Sequence, residues 1–129
     1  MNKIFVVHGK NRNPVEQLKN ILNKFKIPYK IAIDEPHKGR PISKKVGELM
    51  KECSSAIIIF TADEKYVDDN DIEIWRPSDN AIYEKGAASI LYEKIVILKE
   101  KGVTLASDFS DNGIFLLKRM NLKQRLWNL

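Results

Sequence analysis

From residue 76 to residue 86 the chain reads Arg-Pro-Ser-Asp-Asn-Ala-Ile-Tyr-Glu-Lys-Gly, and this stretch holds the side chain best placed to do chemistry. Ser78 is a helix cap by type, so Glu84 falls in the second turn, with Asn80 one turn before it. Ala81, Ala87, Ala88 and Leu91 stand at the three-, four- and seven-residue spacings that share its face. A carboxylate on a face of small, mostly apolar residues has two readings. Either it pairs with a lysine or lies at the helix flank, or its small neighbours leave room for a ligand, with Tyr83 and Trp75 walling the site. In the second case a lone carboxylate suits cleavage of a glycosidic bond, because a nearby negative charge stabilises an oxocarbenium-like transition state. Nicotinamide is a good leaving group from ribose, so one carboxylate could suffice there where ordinary glycoside hydrolysis uses two.

The elements that must position this helix alternate along the chain, short apolar runs taking turns with amphipathic segments. Lys3 to His8 reads as a first strand. A helix follows in which Asn13 can cap, Pro14 occupies the first turn, Glu16 completes a capping box, and Val15, Leu18, Leu22 and Phe25 repeat on one side. Tyr29 to Ile33 reads as a second strand, Asp34 to Arg40 as a polar loop, and Ile42, Val46, Leu49 and Cys53 as the buried stripe of a second helix. Ser55 to Thr61 carries Ile57-Ile58-Ile59-Phe60 without polar alternation, as a central parallel strand requires. A long acidic connection over residues 62–77 leads to the helix of Ser78 to about Glu93, then to a strand at Lys94 to Leu98, a strand at Ile114 to Leu117 and a closing helix at Lys118 to Leu129.

Strand and helix in repetition give right-handed crossovers and a doubly wound, flavodoxin-like α/β fold, a five-stranded parallel sheet of order 2-1-3-4-5 in a single domain of residues 1–129. Ligands of such sheets lie beyond the carboxyl ends of strands one and three. That rule selects His8, Gly9, Asn11 and Arg12 after the first strand, and Trp75, Arg76, Asn80 and Tyr83 around the start of the third helix. His8 serves equally as a hydrogen-bonded residue at the core edge, Gly9 allows close backbone approach, and Asn11 and Arg12 either hold phosphate or ribose or are simply solvated. Arg40 and Arg76 meet a phosphate or a local carboxylate, and Trp75 stacks on a ring or anchors its loop.

Composition narrows the field. With 129 residues, 43% hydrophobic and 30% charged, the chain can bury one core without staples. Its apolar runs, such as Ile4–Val7, are far shorter than the ~20 residues of a membrane span or the ~7–15 of a signal segment, so a cytoplasmic protein with no membrane partner is expected. Cys53 is the one cysteine, and with it His8 and His37 are too few ligands for a metal site unless carboxylates supply the rest, so none is expected. Residues 1–60 hold 12 Lys/Arg against 5 Asp/Glu, and residues 61–129 hold 10 against 12. The basic half can attract phosphate-bearing ligands, although solvated lysine faces on the polar sides of the helices account for it better, and no specific nucleic-acid binding is expected. There is no G-x-x-x-x-G-K-[ST], no G-x-G-x-x-G and no G-x-S-x-G, and His8-Gly9-Lys10 stands where a phospho-receiver carries acidic residues.

Four ordered motifs carry a resemblance over most of the chain. They are Phe5-Val6-Val7-His8-Gly9 with Asn11, Glu35-x-Pro-x-x-Gly39-Arg40-x-Ile42, Ala56 to Thr61 leading into Asp63, and Arg76 with Asn80-x-Ile82-Tyr83-Glu84-x-Gly86. In these the sequence resembles the TIR-like domains described as predicted nucleotide-binding proteins, effector modules of bacterial antiphage systems of the STING and Pycsar types. The resemblance implies NAD⁺ glycohydrolase activity without a cofactor, NAD⁺ being the substrate and Glu84 aligning with the family's catalytic glutamate. It also makes residues 34–41 the BB loop through which such domains self-associate, and implies a sensor domain, fused or separate. Ser78 stands where a second arginine is expected, and Pro41 where Thr or Ser is usual. A non-catalytic nucleotide-binding or assembly module of the same fold, and a nucleoside-sugar transferase, remain alternatives on the residues themselves.

Overall fold

The computed structural model describes residues 2–31 and 44–105, and the backbone of 113–117. Its elements are β1 (Ile4–Val7), α1 (Asn13–Lys24), β2 (Tyr29–Ile31), α2 (Lys44–Lys51), β3 (Ser55–Phe60), β4 (Glu64–Val67), β5 (Glu73–Arg76), α3 (Asp79–Leu91), β6 (Ile95–Glu100) and β7 (Gly113–Leu117). Five of the strands form one sheet of order β2-β1-β3-β6-β7, and every neighbouring pair is parallel. This is the doubly wound order expected from the alternation of apolar runs and amphipathic segments.

Period-two alternation sorts the strand residues onto two faces. Phe5, Val7, Ile58, Phe60 and Ile97 pack on one face with Val46 and Met50 of α2 and Ala81 and Ala88 of α3. Val6, Ile59 and Leu98 pack on the other with Val15, Leu18 and Leu22 of α1. β3 lies between β1 and β6 and is covered on both sides, which is why its sequence is an unbroken aliphatic run.

Four local expectations are corrected. Asn13 does not cap α1; it is the first helical residue, Arg12 holds the cap position without a side-chain cap bond, and Asn11 Oδ1 accepts from the Asn13 N–H at 3.1 Å. The cap interaction has moved two residues upstream, and Glu16 turns outward to ion pairs with Arg12 and Lys19. Cys53 lies beyond the end of α2 and is only partly buried, its Sγ donating to the Leu49 carbonyl at 3.5 Å, while Met50 fills the core instead. Leu91, at the last turn of α3, is 53% exposed and does not share the environment of Glu84.

The fourth correction concerns residues 62–77, which form a hairpin and not an irregular connection. β4 and β5 pair antiparallel with Glu64 opposite Arg76, Lys65 opposite Trp75 and Tyr66 opposite Ile74. Cross-strand pairs of opposite charge and of apolar side chains hold such ribbons together. Asp68 folds the turn by accepting from the N–H groups of Asn70 and Ile72 at 2.8 and 2.9 Å, and Asp71 takes a positive φ of 61°. The carboxylates that make this stretch read as a loop build its turn. Ile33, the 34–41 loop with Arg40, Ile42 and the closing helix at Lys118 to Leu129 lie outside the described residues.

Candidate active site

The carboxyl ends of β1 and β3 meet the start of α3 at a single side chain, Asp63. Its Oδ1 accepts from the Lys10 N–H at 3.0 Å and from the Thr61 hydroxyl at 2.6 Å. Its Oδ2 accepts from the Ser78 N–H at 3.1 Å. One half-buried carboxylate therefore ties the loop after β1, the end of β3 and the cap of α3 together, each bond to an ionised acceptor being stronger than a neutral one. Lys10 adds a second tie, its Nζ donating to Glu64 Oε1 at 2.7 Å.

Gly9 owes its identity to this junction. A Cβ placed there would stand 2.2 Å from Thr61 Oγ1 and 2.3 Å from Asp63 Oδ2, so the close approach expected of Gly9 is toward the protein's own Thr61–Asp63 pair. His8 beside it is buried, 8% exposed, and its Nδ1–H donates to the Gly9 carbonyl at 2.8 Å.

Ser78 caps α3 as its type predicts: its hydroxyl accepts from the Ala81 N–H at 3.4 Å and its backbone is extended. Glu84 follows six residues later, about 9 Å along the axis. It is 3% exposed and belongs to the buried stripe Ala81, Glu84, Lys85 and Ala88 that faces the sheet. A carboxylate and an ammonium from consecutive residues are thus both withdrawn from water, and burial of ionic groups on this scale requires polar partners. Spacing from Glu84 does not single out Lys85; the signal available in sequence is the Glu-Lys dipeptide on a helix whose other inward residues are alanines.

The remaining candidate residues are distributed around this junction. Asn80 is half-buried in the first turn of α3. Tyr83, a neighbour of Glu84 in sequence but a hundred degrees around the helix, is 51% exposed. Trp75 is 37% exposed on β5, where its carbonyl accepts from the Thr104 N–H at 2.7 Å. Arg76 follows it, its guanidinium 6.0 Å from the centre of the Tyr66 ring. Arg12 is exposed and engaged with Glu16, and Asn11 is occupied in starting α1. The structure therefore draws together His8, Gly9 and the start of α3, and leaves Arg12 and Tyr83 on the surface. Asp63, which ends one of the four motifs but was assigned no role from sequence, is the residue that joins them. No group of three or more His, Cys, Asp and Glu suited to a metal ion occurs among the described residues, and none of their helices is long and apolar enough to cross a membrane.

A parallel sheet of this order, wound with helices on both faces and opening at its switch point onto a glutamate-bearing helix, defines a TIR-like domain of the flavodoxin-like class. The profile of the CAP12/Pycsar effector protein TIR domain matches residues 3–120, and the chain belongs to that family. Protein tirC of Dictyostelium discoideum is 27% identical in an alignment of 89 positions that covers 65% of this chain and 44% of that protein; the chain thus spans less than half the length of this curated relative. No solved structure gives a significant match.

Proposed function

We propose that the chain is an NAD⁺ glycohydrolase that breaks the bond between nicotinamide and ribose with Glu84. The observation that carries this reading is the placement of Glu84, 3% exposed on the sheet-facing stripe of a helix whose cap is tied to the carboxyl ends of β1 and β3. A carboxylate held away from water acts on a developing positive charge far more strongly than a solvated one. As the C–N bond breaks, its electron pair leaves with nicotinamide, and the ribosyl cation is stabilised by the Glu84 carboxylate. Water then attacks C1′ and loses a proton, giving ADP-ribose; attack by the adenine instead gives a cyclic product. His8, Gly9, Asn11, Arg12, Arg40, Trp75, Arg76, Asn80 and Tyr83 are the candidates for holding the dinucleotide, with arginines toward the diphosphate and aromatic rings toward the bases.

A carboxylate so deeply covered does not admit a dinucleotide in the conformation described, so access to Glu84 requires a rearrangement; we propose that assembly supplies it, with loop 34–41 between copies and a sensor governing assembly. The test is nicotinamide release from NAD⁺ at high protein concentration, with and without a crowding agent, for the wild type and Glu84→Gln. Loss of at least ~100-fold in the variant with its circular dichroism unchanged supports the reading. Equal turnover in both removes Glu84 as the catalyst. The burial of Glu84 also favours a second reading, a nucleotide-binding assembly module, which predicts NAD⁺ binding by calorimetry with no turnover under any condition.

A further inference from the structure

Among the described residues, the two poles of the sheet carry surfaces opposite in shape and in charge. At the carboxyl pole the β4–β5 hairpin stands out from the body, held at its base by the Lys10–Glu64 ion pair and by Thr104 against Trp75. Toward its turn Tyr66 is 50%, Val67 58% and Ile72 58% exposed, since a two-stranded ribbon has no second layer to cover both its faces. Carboxylates dominate it: Asp63, Glu64, Asp68, Asp69, Asp71 and Glu73 stand against Lys65 and Arg76, and Asp69 and Asp71 are exposed at the turn beside Ile72.

At the amino pole an open groove of about 600 Å³ runs past the first residues of β1 and β3, with Ile4, Ile27, Cys53, Leu91 and Tyr92 in its lining. Ile27 and Leu91 are 37% and 53% exposed, and their chain neighbours Phe25 and Ile90 are 52% and 88% exposed. Lys94 and Glu93 line the same groove, Lys3 acts electrostatically on Cys53 within it, and Lys30, paired with Glu52 at 3.8 Å, does so too. Lysines thus outnumber glutamates around an apolar depression, as carboxylates outnumber cations around an apolar protrusion.

We propose that a second copy of this chain seats its hairpin in this groove, so that copies join head to tail along the strand direction. Charge decides between the ways two copies could meet. Hairpin against hairpin opposes carboxylates, and groove against groove opposes lysines; hairpin into groove alone matches apolar to apolar and acid to base. A contact between two different surfaces does not close on itself and builds an open string. This contact is separate from residues 34–41 and does not depend on NAD⁺ cleavage.

Sedimentation velocity of the full chain over a range of concentrations tests it. The wild type is expected to grow beyond dimer as concentration rises, and to do so less in high salt. Val67→Lys/Ile72→Lys on the hairpin, and Ile27→Asp/Leu91→Asp in the groove, are each expected to weaken assembly at least about tenfold. Ile72→Ser, a milder change at an exposed site, is expected to weaken it in the same direction. An equal mixture of the two double variants is expected to form a dimer and stop, because each retains one competent surface; that result also shows both to be folded. A wild type monomeric at every concentration overturns the proposal. So do variants that assemble like the wild type, as they would if loop 34–41 alone carried assembly, and folded variants whose mixture stays monomeric. Nicotinamide release has no part in this test, so the glycohydrolase reading stands or falls apart from it.

Discussion

Asp63 Oδ2 accepts the Ser78 N–H at 3.1 Å, and through that bond the end of the central strand sets where α3 begins and hence where Glu84 comes to rest. The bond links residues fifteen apart across the whole β4–β5 hairpin. Because Asp63 also holds Lys10 and Thr61, its removal would leave three donors without their acceptor. Asp63→Ala is expected to destabilise the fold by about 2–4 kcal/mol, read as a lower urea midpoint with an unchanged slope. An effect under about 0.5 kcal/mol would show that water replaces the carboxylate at little cost.

At Gly9 the prediction concerns space. Gly9→Ala places a methyl group against Thr61 Oγ1 and Asp63 Oδ2, and a loss of about 1–3 kcal/mol is expected by chemical denaturation. Combined with Asp63→Ala the two losses should add to less than their sum, since the first variant already disturbs what the second removes. Simple additivity would mean that Gly9 answers to something other than this pair.

Lys26 offers a change in the opposite direction. It follows α1 at a positive φ of 56°, with its N–H on the Asn23 carbonyl and that of Ile27 on the Leu22 carbonyl, the closing pattern in which glycine is usual. Lys26→Gly is expected to raise stability by about 0.5–1 kcal/mol, visible as a higher melting temperature. A lower one would mean that the lysine side chain contributes more than its backbone costs.

Tyr92 gives a pH dependence. Its hydroxyl donates to the Met50 carbonyl in the core, and burial pushes its pKa up from 10.0 to about 12, with the Cys53 charge adding to the rise. The folded state therefore keeps the phenolic proton at pH values where the unfolded chain has released it. The contribution is fully present below about pH 10 and is lost as pH rises through about 12, on the order of 2 kcal/mol. Tyr92→Phe should lose this alkaline slope and weaken the neutral-pH stability by about 1 kcal/mol. Ultraviolet titration at the tyrosinate band against a Tyr92→Phe control checks the assignment.

The strand order and the place of Glu84 on the third helix were legible in sequence because both rest on local patterns. The run Ile57 to Phe60 without polar alternation reads as a strand covered on both faces, the alternation of apolar runs with amphipathic segments points to parallel crossovers, and Ser78 announces a helix on which Glu84 has a fixed angular place. Tertiary structure decided what depends on contacts between distant residues. Asp63 became the anchor because it meets Lys10, 53 residues away, and Gly9 proved necessary because the same carboxylate packs against it. The acidic stretch became a hairpin because charges opposed along a ribbon attract, a pairing that composition alone does not reveal. Local periodicity fixes which face a residue takes; only the folded chain fixes what that face meets.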